Sequence, residues 1–299
     1  MKRFGLNSGY IGIDRRQDEA GIAPLQKAYL ERTRGGNYSP VNFLLNTYSG
    51  AAAAYSLRLL SGNYTGNAIR VRRSLDNAEL DIGFVGAGLD TNTLASFCSG
   101  TDGFVTAWYD QSGNQRNLQQ ATLLSQPQIV YSGTILLYNG TPAINSATNR
   151  NLVATSFTVD KLATPLAMFV VTVLPTGPDR GMFEFSSADN SGVPRFTVTA
   201  ASTTIKVASP GYFINAPRLP SVYNLVSITR ESNNWSVFLN TSLAGTGVAG
   251  LSGVAPLRVF SGYPAYYNSI IQELIFYPYS QSANRPEIES NINSYYNIY

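Results

Sequence analysis

The sequence predicts an all-β sandwich with a few short helices, carried behind an N-terminal arm, and three observations lead there. From Ala68 onward the apolar residues fall mostly in short runs with a period of two, separated by turn-forming residues. Only 13% of the 299 residues are charged, about half the usual fraction, and Tyr, Ser, Asn, Thr and Gly fill the polar positions. The chain has one cysteine, Cys98, and no histidine. Neither an intrachain disulfide nor a Cys/His zinc site is then available, so packing must hold the fold. Sandwiches often run long as single units, so the expected division is an arm over residues 1–38 and one sandwich domain over 39–299.

The arm is charge-rich: Lys2, Arg3, Arg15, Arg16, Lys27, Arg32 and Arg34 are seven of the 21 basic residues. It reads either as a docking segment or as a strand and loop packed on the domain. Residues 42–60 (NFLLNTYSGAAAAYSLRLL) hold an Ala-rich stretch that predicts a helix ending at Gly62. Ile69, Val71 and Arg73 then alternate with Arg70, Arg72 and Ser74, and Asp76-Asn77 turns the chain into a strand over Leu80–Phe84. A second short helix is expected over Thr91–Phe97.

Strands follow over 104–109, 128–131, 152–157, 166–174, 180–186, 195–200, 204–207, 223–230, 235–239, 257–261 and 269–277. The breaks fall at turn signals such as Ser232-Asn233-Asn234, Asn240-Thr241 and Pro175-Thr176-Gly177-Pro178. Many short strands with regular turns mean a sandwich or barrel, and the lack of a fixed-period repeat argues against a propeller or β-helix. Residues 281–299 place Ile288, Ile292 and Tyr295 or Tyr296 at helical spacing, with Ser282 as the expected cap and Pro286 in the first turn, so a helix closes the chain.

Composition also excludes chemistry. Without histidine there is no Ser-His-Asp or Cys-His catalysis, which leaves carboxylate or tyrosine chemistry. The formal net charge of +3 comes with no recognisable nucleic-acid motif, so no nucleic-acid partner is expected. No run of 18 apolar residues exists, which predicts no membrane span. The stretch Phe4–Ile13 is broken by Gly5, Asn7, Ser8, Gly9 and Gly12 and cannot serve as a signal-peptide core. An extracellular composition without an export signal predicts a virion: a phage structural protein, as capsid decoration, head fibre or tail component. Its arm would dock on other virion proteins while the sandwich contacts glycans. Assembly as a homo-oligomer is kept open by analogy, and no cofactor is expected.

Residues 68–113, AIRVRRSLDNAELDIGF followed by SFCSGTDGFVTAWYDQSGNQRNL, carry a V-R-R-S-x-D strand, a D-I-G and a W-Y-D-Q-S-G turn. This text resembles the catalytic domain of the family 54 α-L-arabinofuranosidases. The ending, a strand, a linker over 281–285 and a helix closing in Tyr-Tyr-Asn-Ile, looks like the last unit of laminin-G-like domains. The resemblance implies a concanavalin A-like sandwich of jelly-roll type.

Physically, W-Y-D-Q-S-G is a strand ending in a tight turn: Trp108 and Tyr109 face opposite sides, Asp110 bonds backbone amides and Gly113 supplies positive φ. A sugar stacked on Trp108 or Tyr109 is the alternative reading. Tyr212 and Phe213 in P-G-Y-F, and Tyr263, Tyr266 and Tyr267 in G-Y-P-A-Y-Y, fall in expected loops, where they contact a ligand or cap the sandwich edges.

The resemblance further implies a retaining glycosidase with a Glu nucleophile and an Asp acid, whose carboxyls stand about 5–5.5 Å apart. Between residues 161 and 280 the carboxylates are Asp179, Glu184, Asp189, Glu231 and Glu273. Glu184 and Asp189 are the candidates, against a plain reading as a strand residue and a turn. The family carries adjacent cysteines beside its nucleophile and a further pair around the position of Cys98, whereas Cys98 here stands alone. That departure predicts a non-catalytic domain, with an arabinofuranosidase-like hydrolase or a bacterial surface lectin as alternatives. Asp179, Asp189 and Asn190 offer at most a weak Ca²⁺ set.

Overall fold

In a computed structural model, the structure describes residues 43–146, 150–158, 165–173, 180–185, 196–200, 204–209, 212–217, 223–248, 255–261 and 269–299. The expected arm, Asp189 with the weak Ca²⁺ set, and Tyr263, Tyr266 and Tyr267 lie outside the described residues.

Nineteen strands join in one antiparallel hydrogen-bonded network that forms two layers of a sandwich, and the all-β expectation holds. In one layer Ile270–Tyr277 pairs with Ala53–Ser56 and Ile144–Asn145 at one edge and with Leu166–Val173 at the other. Tyr223–Glu231, Asn234–Leu239 and Ser242–Val248 continue that layer. The other layer runs from Glu79–Ile82 through Ile69–Arg73, Gly103–Trp108 and Leu118–Gln119 to Leu152–Thr158. It continues through Pro256–Val259, Arg180–Phe185, Phe196–Ala200 and Thr204–Ser209 to Tyr212–Pro217. Gln128–Tyr131 joins the layers, because it bonds both Gly103–Trp108 and Ile144–Asn145.

The middle strands of the first layer, Leu166–Val173, Tyr223–Glu231 and Ile270–Tyr277, are buried on both faces, which explains their unbroken apolar runs. Along LAMFVVTV, Leu166, Met168 and Val170 point into the core between the layers, where Trp108, Phe157, Phe183, Phe185 and Phe276 pack. Ala167, Phe169, Val171 and Val173 point the other way, onto Ile288, Ile292 and Tyr296 of the closing helix Arg285–Tyr296. Successive side chains of a strand alternate faces, so a strand covered on both sides must be apolar at every position. Each large side chain taken fully out of water contributes roughly 1.5–3 kcal/mol, which fixes the helix to the sheet.

Three elements differ from the sequence expectation. The Ala-rich stretch forms the strand Ala53–Ser56, and only Leu44–Thr47 is helical. Its alanines are at most 4% exposed. Small side chains let that strand lie against both Ile270–Tyr277 and the turn at Asp110, so tertiary pairing overrides helix propensity. Tyr212 and Phe213 belong to a strand, not a loop. Ser282 does not cap the last helix: its hydroxyl donates to Glu231 at 2.8 Å, and Asn284 is the N-cap, with Pro286 in the first turn as expected. The short helix Thr91–Phe97 forms as read, capped by Asp90, whose carboxylate accepts from the Thr93 amide at 3.0 Å.

Candidate active site

The W-Y-D-Q-S-G turn does structural work. Asp110 is buried, and its Oδ1 accepts from the amides of Ala54 (2.8 Å) and Ser112 (2.9 Å). Its Oδ2 accepts from the Ser112 hydroxyl (2.8 Å) and the Arg116 amide (3.0 Å). A carboxylate with both oxygens filled by local donors has nothing left to offer a reacting group. Beside it, the Gln111 side chain donates to the carbonyls of Ser56 and Arg58 and accepts from the Leu60 amide. Gly113 takes φ +88°, as the turn requires.

Trp108 is fully buried in the inter-sheet core, its ring 6.0 Å from that of Tyr55, so the expectation that it stacks on a sugar is corrected. Tyr109 faces the other way and donates to Asp81 at 2.6 Å, while Arg70 grips the same carboxylate at 2.7 and 2.8 Å. Burial first, and Asp81 second, push the Tyr109 phenol up to about 12. Of the other aromatic candidates, Tyr212 is placed in its strand by the backbone alone.

Four carboxylates are buried among the described residues: Asp110, Glu184, Glu273 and Glu289. Glu273 is held by Arg58 at 2.7 and 3.0 Å and by the Ser56 hydroxyl at 2.7 Å, beneath the closing helix. Glu289 pairs through Oε2 with Arg285 at 2.6 Å, and its Oε1, like one oxygen of Glu184, has no hydrogen-bond partner. Glu184 differs in that the group it bonds is a neutral hydroxyl. It is 3% exposed, its Oε1 accepts from the Ser261 hydroxyl at 2.6 Å, and its Oε2 has no hydrogen-bond partner.

The strand that carries it explains the placement. In RGMFEF, Phe183 and Phe185 pack into the core against Phe276, which turns Glu184 to the opposite, outer face of its layer. Directly across from it in the ladder stands Arg258, and across from Arg258 stands Val153. Ser261 and Ser269 are both tied to the strand Arg180–Phe185. Ser261 bonds Glu184, and the Ser269 hydroxyl donates to the Gly181 carbonyl at 2.9 Å. The sequence singled out Glu184 but gave no sign of Ser261, its partner 77 residues away.

A buried carboxylate held only by a neutral hydroxyl is costly to keep, and a chemical task is one reason that folds retain such a group. Held by one hydroxyl, Glu184 can act as a nucleophile or as a proton acceptor. No group of three or more His, Cys, Asp or Glu capable of holding a metal occurs among the described residues.

Likeness to known proteins falls first on the scaffold around the W-Y-D-Q-S-G turn. Residues 45–135 match the family model described as α-L-arabinofuranosidase B, catalytic. Probable α-L-arabinofuranosidases B from Aspergillus fumigatus and Aspergillus terreus are each 42% identical over 72 residues, 23% of this chain and 14% of theirs. The chain therefore matches only a small part of the length of these curated relatives.

Among solved structures, an arabinofuranosidase complexed with arabinofuranosyl-α-1,2-xylobiose superposes with a TM-score of 0.63 at 16% identity, over 85% of this chain and 64% of the other. A family 54 α-L-arabinofuranosidase soaked with a cyclic sulfate inhibitor gives 0.61 at 15%, over 85% and 65%. The fold is thus the sandwich of the arabinofuranosidase catalytic domain. These matches overturn the expected virion structural role, the phage particle as its location and the reading of the domain as non-catalytic. The family model and the relatives named are all arabinofuranosidases.

Proposed function

We propose that this chain is a glycoside hydrolase domain that cleaves α-L-arabinofuranosyl residues from a polysaccharide, with Glu184 at the centre of its chemistry. The observation that carries the reading is the carboxylate itself: buried, fixed through one oxygen by Ser261, and bare at the other. The relatives supply the substrate class, since one solved neighbour holds an arabinofuranosyl xylobiose.

In a retaining reaction the free Oε2 of Glu184 attacks the anomeric carbon as the glycosidic bond breaks, and a second carboxylic acid protonates the leaving oxygen. Water then attacks the arabinosyl ester, gives its proton back to that second group and frees the Glu184 carboxylate. Asp189, five positions beyond Glu184 in the chain, is the proposed acid. The Ser261 hydroxyl is a positioning group: its bond to Oε1 fixes the plane of the carboxylate and leaves Oε2 as the attacking atom.

The test is release of nitrophenolate from 4-nitrophenyl α-L-arabinofuranoside. Turnover by the chain and its loss by ~10⁴-fold in Glu184→Gln, with the variant folded, are the expected results. Absence of turnover over a panel of aryl arabinofuranosides overturns the reading, as does full activity in Glu184→Gln.

A further inference from the structure

On the same outer face as Glu184 lies a cluster of cations that the reaction does not use. Arg72 and Arg150 both stack on one ring, that of Phe104, with guanidinium carbons 4.9 and 5.0 Å from its centroid. Arg72 is buried, and it donates from Nε to the Gln126 amide oxygen at 2.7 Å and from Nη1 to that of Asn77 at 2.8 Å. Both acceptors are neutral. Arg150, partly exposed, makes no hydrogen bond or ion pair to another described residue.

The nearby acids Glu79 and Asp102 form no ion pair with them: Asp102 accepts from the Ser132 amide at 2.7 Å, and Glu79 faces the Thr106 hydroxyl at 3.5 Å. Arg58, Arg70, Arg73 and Arg285 each pair with a carboxylate at 2.6 to 2.7 Å, and Arg116, which stacks on Phe157, donates to the Ala52 carbonyl at 2.8 Å. At Phe104, by contrast, two guanidinium groups share one ring. Holding two unpaired guanidinium groups against one ring, partly out of water, is unfavourable unless an anion completes the site. Burial holds both guanidinium groups below their ordinary range, against the opposing pull of Glu79 on Arg72 and of Asp102 on Arg150.

We propose that Arg72, Phe104 and Arg150 form a subsite for the carboxylate of a uronic acid residue in a polysaccharide. A planar guanidinium matches a planar carboxylate with two parallel hydrogen bonds. Amide groups suited to sugar hydroxyls surround the cluster: Gln126 bonds Arg72, and the Gln120 amide donates to the Asn151 backbone and side-chain oxygens at 3.1 Å. The register places the subsite relative to Glu184. Arg150 precedes Val153 by three residues, and Val153, Arg258 and Glu184 stand opposite one another on neighbouring strands. The guanidinium of Arg150 reaches the other way, to Phe104, which is three residues from Ala107, and Ala107, Gln119 and Val153 also stand opposite one another. With ~3.3 Å per residue and ~4.8 Å between strands, the ring and Glu184 are ~22 Å apart. An extended oligosaccharide spans that separation, and a single furanose ring does not. The inference rests on the reading of this face as one that binds polysaccharide, and it makes the preferred polymer acidic.

Affinity electrophoresis of the full chain in gels containing polygalacturonate, against gels containing neutral arabinan, tests the subsite without any turnover. Wild type should be retarded by polygalacturonate, and Arg150→Gln should weaken that retardation at least tenfold while leaving migration in arabinan unchanged. Arg70→Gln removes the same charge from a pair with Asp81 elsewhere on the face and should retain binding. Equal retardation of wild type and Arg150→Gln, equal loss in Arg70→Gln, or no retardation at all overturns the subsite. So does displacement by inorganic phosphate at the concentration at which glucuronate displaces, since that marks a general oxyanion site. Loss of aryl arabinofuranoside turnover bears on Glu184 alone, so the two readings fail separately.

Discussion

Asp110 and Glu184 are both buried carboxylates, yet their hydrogen bonds assign them opposite duties. Asp110 satisfies three backbone amides and a hydroxyl, so Asp110→Ala strands the buried N–H of Ala54 and the part-buried N–H groups of Ser112 and Arg116. Each orphaned donor costs about 1–3 kcal/mol, and a loss of ~3 kcal/mol or more is expected in the urea midpoint. Glu184 accepts one bond and leaves an oxygen bare, so Glu184→Gln should cost less than ~1 kcal/mol while abolishing turnover. A midpoint drop for Glu184→Gln as large as that for Asp110→Ala would mark Glu184 as scaffold. The D-Q-S-G turn was legible because its contacts to Ser112 and Arg116 are local and stereotyped. The pairing of Glu184 with Ser261 was not, since it depends on how distant strands register.

Among elements, the closing helix is tied down by more than its apolar stripe. Arg58 lies beneath it with its guanidinium 5.4 and 5.7 Å from the rings of Tyr295 and Tyr296, and it donates to Glu273 and to the Asn291 side chain. Glu273→Ala would leave Arg58 buried without its counter-charge, and a loss of about 3–5 kcal/mol is expected by thermal or denaturant unfolding. Replacing both partners together, as in Arg58→Met with Glu273→Leu, should recover most of it. If the double variant is no more stable than the single one, the pair contributes through more than its charges.

The helix could be read from Ile288, Ile292 and Tyr296 because a surface helix has one buried stripe. The Ala-rich stretch misled because alanine favours helices in isolation, whereas here the size of its side chain, admitted between a strand and the Asp110 turn, decided the outcome. Tyr212 misled similarly: a Pro-Gly pair before it signals a turn, and the strand begins immediately after.

At the scale of the whole molecule, the family match over 45–135 falls on scaffold: the Asp110 turn, the Ile69–Arg73 and Gly103–Trp108 strands and the helix Thr91–Phe97. Glu184 lies beyond it, and there the likeness is carried by the fold alone. The single thiol offers a direct measure of that scaffold. Cys98 is fully buried, and a side-chain carbon placed on Gly103 would come within 2.8 Å of its sulfur, so the sheet is closed against it by the missing Cβ. Burial pushes the thiol up to about 11, so in the folded chain it stays protonated at pH 8. The sign follows: an acid held neutral by the fold stabilises it fully below the ordinary thiol range, and that contribution is lost as pH rises toward 11. Labelling by a thiol reagent at pH 8 should therefore require opening of the sandwich, with a rate that rises with urea in parallel with global unfolding. Rapid labelling in native buffer, independent of urea, would show that the strand Gly103–Trp108 opens without the rest of its layer.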